Sequence, residues 1–202
     1  MKSTEIAVTT FIFAAAIILT AVLATATLRA ADNGDQLKPP PTPAGLTAQQ
    51  IRGKYLVDIM GCHDCHTPMK MGPKGPEWDM ERALSGHPES MPMPPGPALQ
   101  MPWAAAMGAT MTAFSGAWGT SFTKNLTPDK ETGLGDWTVE EFIATMKTGK
   151  ERGKGRAVLP PMPVQNLAQL SDEDIRALFA YLQTLKPIKN RNPQPVEPPD
   201  SK

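Results

Sequence analysis

Cys62-His63-Asp64-Cys65-His66 constrains this chain more than any other feature, because it places two thiols and an imidazole within one short run. A Cys-x-x-Cys-His run is the attachment pattern of a c-type haem. Each thiol forms a thioether to a haem vinyl group, and the adjacent imidazole reaches the iron from the same face. The chain must then wrap a flat, mostly apolar cofactor, and electron transfer is the role to expect. Other uses of these residues lack partners. A structural zinc site needs four ligands, and outside the run the chain offers no Cys and only His87. A thioredoxin-like dithiol calls for alternating strands and helices, whereas here a helix is followed by a long Pro-, Gly- and Met-rich loop. A Cys62–Cys65 disulfide would leave His66 without a role.

An electron-transfer haem has both axial positions filled, and Met opposite His raises the potential. Of the 12 methionines, Met162 stands in Leu159-Pro160-Pro161-Met162-Pro163, where prolines fix the backbone and remove amide donors. A ligand held in this way loses little entropy on reaching iron. Met162 is therefore the expected distal ligand, with His66 on the proximal side. An open or displaceable sixth site would instead make the chain a haem enzyme or a sensor of peroxide or gas.

The N-terminus reads as a targeting or anchoring segment. Lys2 precedes an uncharged stretch over residues 6–28, most apolar over 11–23, and Ala24-Thr25-Ala26 offers a small-x-small cleavage site. The apolar part has signal-peptide length, and the whole uncharged run is long enough to span a bilayer, so a cleaved leader and a retained inner-membrane anchor both fit. Either way the haem domain is exported. Basic and acidic residues balance at 20 each, which gives no basic surface for nucleic acid.

Residues 32–46 are polar and then Pro-rich, a semi-rigid spacer. Thr47 and Gln50 form a capping-box pattern ahead of Ile51, Tyr55, Leu56 and Ile59, a helix running into the haem motif. Gly53 inside it permits close approach by the last helix. A second capping box, Thr138 and Glu141, opens a helix with Val139, Phe142, Ile143 and Met146 on one side that stops at Gly149. The last helix starts at Ser171, carries acidic residues in its first turn and ends at Lys186-Pro187. Helices packed around a haem make an all-α domain over residues 47–189. Residues 190–202 are polar and Pro-rich, a disordered or surface-wrapping tail.

Gly53-Lys-Tyr-Leu-Val, the Cys62–His66 motif with Thr67-Pro68, Leu84-Ser-Gly-His-Pro88, Asn125-Leu-Thr-Pro-Asp129, Thr132-Gly-Leu-Gly-Asp-Trp137, Pro160-Pro-Met-Pro163 and Asp174-Ile-Arg-Ala-Leu-Phe-Ala-Tyr-Leu182 together resemble the class I c-type cytochromes. More narrowly, they are similar to cytochrome subunits of bacterial membrane-bound dehydrogenases, from about residue 47 to 190. The resemblance implies one covalent haem c, held by Cys62 and Cys65 with His66 proximal and Met162 distal. It also implies attachment on the outer side of the bacterial inner membrane, hence a periplasmic domain. Its partners would be redox proteins such as a dehydrogenase, an oxidase or another cytochrome. The class I fold would here carry a long Pro/Gly/Met-rich insertion between the haem motif and the distal ligand. Those subunits carry several haem motifs where this chain carries one.

The insertion holds Met69, Met71, Met80, Met91, Met93, Met101, Met107 and Met111. Clustered thioethers suit Cu(I), but their uneven spacing favours gap-filling around the haem. His87 is an alternative sixth ligand or a surface-loop residue. Trp118 and Trp137 are candidate propionate donors or core residues. Asn125-Leu-Thr-Pro-Asp129 reads as a turn rather than a glycosylation site, and Asp129, Glu131 and Asp136 as a solvated turn rather than a Ca²⁺ loop.

Overall fold

A computed structural model describes residues 44–198; the leader or anchor and most of the spacer expected from the sequence lie outside the described residues. Thr47 opens helix α1 (Ala48–Ile59): its hydroxyl accepts from the Gln50 N–H, and the Gln50 side chain accepts from the Thr47 N–H. Gly61, at φ +67°, turns the chain into the short helix α2 (Cys62–His66). The second capping box, Thr138 with Glu141, opens α3 (Val139–Thr148), which Gly149 ends in the left-handed conformation. After the short α4 (Val164–Leu167), Ser171 caps α5 (Asp172–Leu182) by accepting from the Asp174 N–H.

Helices α1 and α5 cross at Gly53. A Cβ there would lie 1.9 Å from the Ala177 carbonyl oxygen and 2.8 Å from Tyr181 Cβ, so the missing side chain is what lets the helices meet. A two-pronged ion pair from Arg52 to Asp174 (2.8 and 3.1 Å) fixes the crossing. Leu56, Val57, Leu84, Phe142, Ile175 and Leu178 form the core. Phe142 meets Phe179 at 5.3 Å between ring centroids in a tilted pair.

The domain is not all-α: the structure is mixed, with two small antiparallel sheets in the insertion. Strands β1 (Met69–Gly72) and β2 (Gly75–Trp78) pair as a hairpin. Strands β3 (Ala105–Met107), β4 (Ala113–Gly116) and β5 (Gly119–Phe122) form the other sheet in that order. Helix is disfavoured here because Pro and Gly interrupt every apolar run, while short extended pieces still satisfy their amides by pairing. Gly119, at φ +86°, closes the β4–β5 hairpin where a Cβ would strike the Val196 carbonyl.

The insertion is tied to the helical body beside the haem motif. The Gly86 N–H donates to the His66 carbonyl (2.8 Å), and Leu126 N–H to the Leu84 carbonyl (2.8 Å). His87 is fully buried, and both ring nitrogens are engaged, with Thr112 Oγ1 (2.9 Å) and the Met91 carbonyl (2.8 Å). It is a structural tie and has no nitrogen left for a metal. Met71, Met80, Met91, Met101 and Met107 project into solvent, so gap-filling does not describe them.

Of the two readings of the tail, wrapping is the one observed through residue 198. Asn190, 1% exposed, donates to the Ser85 and His87 carbonyls and accepts from Arg82 and the Glu89 N–H. Val196 pairs with Thr120 through two backbone hydrogen bonds.

Candidate functional site

The sequence places Cys62, Cys65 and His66 on one short helix, and all three line a cavity of about 650 Å³. That size is in the range of sites for small molecules and cofactors. Met162 lines the same cavity from the segment between α3 and α4, so the structure brings Cys62, Cys65, His66 and Met162 together, while His87, the alternative sixth ligand, is not among the lining residues. Leu134, Phe142, Met146, Leu178 and Leu182 supply its apolar wall.

His66 is nearly buried, and its Nδ1–H donates to the Lys124 carbonyl at 2.8 Å. A carbonyl can only accept, so the proton sits on Nδ1 and Nε2 keeps its lone pair. Burial pushes the imidazole pKa below its usual value, outweighing that hydrogen bond, which keeps the ring neutral as a metal ligand requires. Burial pushes the Cys62 thiol up to about 11 and raises that of Cys65 as well. Both cysteines are unpaired thiols rather than a disulfide, which is the state from which thioethers form.

Two hydrogen bonds hold the Met162 segment. Ser121 Oγ donates to the Pro160 carbonyl (2.6 Å), and the Val164 N–H donates to the Met162 carbonyl (2.9 Å). Met60 and Met146 also line the cavity, but both are packed against the hydrophobic core.

Positive side chains stand on the polar side. Lys124, Arg152, Arg156 and Arg191 line the cavity together with the carboxylates of Asp64, Glu131, Asp136 and Glu151, and burial lowers the Lys124 pKa. Arg152 lies 4.7 Å over the Trp137 ring while pairing with Asp136 (2.9 Å) and Glu141 (2.7 Å). Trp137 lines the cavity; Trp118 does not, and its indole N–H donates to Ser121 Oγ at 3.3 Å. Only Trp137 therefore keeps a place beside the site.

The neighbouring turn behaves as its residues suggested. Asn125 is buried, and its Oδ1 accepts from both the N–H and the hydroxyl of Thr127. Asp129 Oδ1 accepts from the Thr132 hydroxyl and from the N–H groups of Thr132 and Glu131, which holds its carboxyl below the usual range. Glu131 pairs with Lys189 and Asp136 with Arg152. Among the described residues, no group of three or more His, Cys, Asp or Glu side chains is arranged to hold a metal ion.

An apolar slot with a neutral histidine, two free thiols and a thioether suits a haem, and the Lys124 and Arg191 side chains in its lining suit propionates. The family model described as cytochrome c matches residues 50–186, most of the described chain. The chain belongs to the cytochrome c family. Membership implies covalently bound haem c. This cytochrome is 31% identical over 145 residues to the cytochrome c subunit of a quinone alcohol dehydrogenase from Gluconobacter oxydans, covering 71% of this chain and 23% of that one. It is 29% identical over 156 residues to the cytochrome subunit of fructose dehydrogenase from Gluconobacter japonicus, covering 76% of this chain and 25% of that subunit. A dihaem c-type cytochrome from Cereibacter sphaeroides is 26% identical over 145 residues, covering 71% of this chain and 38% of the relative. The cytochrome thus aligns with about a quarter of the length of the two dehydrogenase subunits.

Sequence reasoning missed Ser121, the Lys124 carbonyl, Arg152 and Asn192 at this site. A backbone carbonyl carries no residue signature, and Asn192 lies in a stretch without apolar periodicity.

Proposed function

We propose that this cytochrome is a monohaem electron carrier or electron-accepting subunit. Cys62 and Cys65 would hold the haem, with His66 and Met162 as its axial ligands. The observation that carries the reading is the shared cavity, with neutral, oriented His66 and Pro-flanked Met162 among its lining residues. When bound, haem supplies a one-electron ferric–ferrous couple. Each thiol would add its S–H across one vinyl C=C, so attachment would need no oxidant. The Lys124 carbonyl fixes the His66 ring. Leu134, Phe142 and Leu178 exclude water, and Lys124 and Arg191 offer partners to propionates.

The sequence supports export of the domain over residues 47–189 by residues 1–31, acting as leader or anchor, with residues 32–46 as spacer. The site would then work in the periplasm, against a redox protein such as a dehydrogenase, an oxidase or another cytochrome, without catalysing a reaction of its own. The similarity to dehydrogenase cytochrome subunits favours a dehydrogenase among those partners.

Replacing both cysteines tests the attachment. Holoprotein made in a host that matures c-type cytochromes is expected to keep its haem through denaturing electrophoresis. Cys62→Ala/Cys65→Ala should lose the haem entirely in the same assay. Haem retained by the double variant under denaturing conditions would refute the thioether assignment.

A further inference from the structure

Asn192 grips the far side of the peptide that orients His66. The Lys124 carbonyl accepts from His66 Nδ1–H, and the N–H of that same peptide unit, belonging to Asn125, donates to Asn192 Oδ1 at 2.5 Å. The amide of Asn192 cannot turn over without loss, because its Nδ2 donates to the carbonyls of Ser85 (3.1 Å) and His87 (2.9 Å). Carbonyls only accept and a backbone N–H only donates, so its partners assign the amide. Asn192 is 7% exposed, so these bonds form with little competition from water.

Hydrogen bonds in such a chain polarise one another. An N–H that donates makes the carbonyl of its own peptide a stronger acceptor, and a stronger acceptor at Nδ1–H raises the basicity of the ligating nitrogen. We propose that Asn192 is a positioning residue for the haem: through the 124–125 peptide it strengthens His66 as an iron donor and lowers the reduction potential. The inference rests on His66 as the proximal ligand.

A purely structural role gives the opposite sign. Asn192 lines the cavity with Arg191, Gln194 and Pro195, so loosening this wall admits water. Water beside the site favours the more charged ferric form and lowers the potential. Asn190 serves as the control: its side chain binds the same Ser85 and His87 carbonyls, yet its Oδ1 accepts from Arg82 and the Glu89 N–H rather than from the 124–125 peptide. Because each amide reaches both carbonyls, either variant leaves them one donor.

The test is a redox titration of wild-type, Asn192→Ala and Asn190→Ala holoproteins, each with its ligation checked by absorption. Asn192→Ala is expected to raise the potential, giving roughly a threefold larger ferrous-to-ferric ratio at a fixed solution potential. Asn190→Ala should lose stability without that rise. An unchanged or lower potential in Asn192→Ala, with ligation intact, overturns the inference. Should Asn192→Ala fail to accumulate, Asn192→Leu decides: it has nearly the same shape and fills the wall but offers no acceptor, so the potential should rise, and no change or a fall refutes the role. A wild-type spectrum without histidine ligation would instead remove the underlying reading, and it is read before any potential is compared.

Discussion

Met162→Ala is expected to keep covalent haem but lose the near-infrared absorption of methionine on ferric iron, bind carbon monoxide readily when reduced, and drop sharply in reduction potential. Axial-ligand choice moves haem potentials over a span of roughly 0.8 V, so loss of the thioether should be among the largest single-residue effects in this chain. The structure makes the experiment discriminating, because Met60 and Met146 also line the cavity. Both are packed against the core, whereas Met162 sits in a segment pinned by the Ser121 hydroxyl on the Pro160 carbonyl. Met146→Ala should therefore lower stability and leave the near-infrared band in place. If Met146→Ala lost the band while Met162→Ala kept it, the distal ligand would lie on α3 instead.

Gly53→Ala is expected to destabilise the protein by about 3 kcal/mol, although alanine is the better helix former. Propensity alone favours alanine by about 1 kcal/mol. Against it stands the Ala177 carbonyl oxygen, 1.9 Å from where the new Cβ would sit; a backbone atom of α5 cannot move aside as a flexible side chain does. The helices must part, which disturbs the Arg52–Asp174 pair and the packing of Leu56 and Val57 on Ile175 and Leu178. Helix α1 leads directly into the haem motif, so the displacement also reaches His66. Thermal unfolding of the holoprotein should shift down by roughly 6–12 °C for a chain of this size. A Tm at or above that of the wild type would show that close packing at Gly53 does not set the crossing.

The helices were legible because their signals are local. Thr47 with Gln50, Thr138 with Glu141, and Ser171 ahead of three acidic residues are each a side chain satisfying the amides of its own first turn. Gly53 was legible for a related reason: a glycine inside a good helix costs stability unless something approaches it. The insertion was not. Its strands run three or four residues, too short for alternation to register, and Ala105–Met107 has no polar face to alternate with. The fold class consequently came out as all-α where sheets are present. His87 reads as an alternative ligand or a surface-loop residue because the groups that bury it, Thr112 and the two tail asparagines, lie far along the chain.

At the site, the chemistry of the ligands was visible and their support was not. The haem motif and the Pro-flanked Met162 announce themselves by residue type. The carbonyl that orients His66 is a main-chain atom of Lys124, and the asparagine behind it is 67 residues from its partner amide. Such second-layer contacts arise from tertiary packing, which no local pattern encodes.

The absorption spectrum of the purified holoprotein, ferric and ferrous, with and without carbon monoxide, tests most directly whether His66 and Met162 both hold the iron. A low-spin spectrum with the methionine near-infrared band and no change on adding carbon monoxide is the expected result. A high-spin spectrum, or prompt carbon monoxide binding by the wild-type ferrous protein, would contradict it and place the cytochrome with haem enzymes or gas sensors.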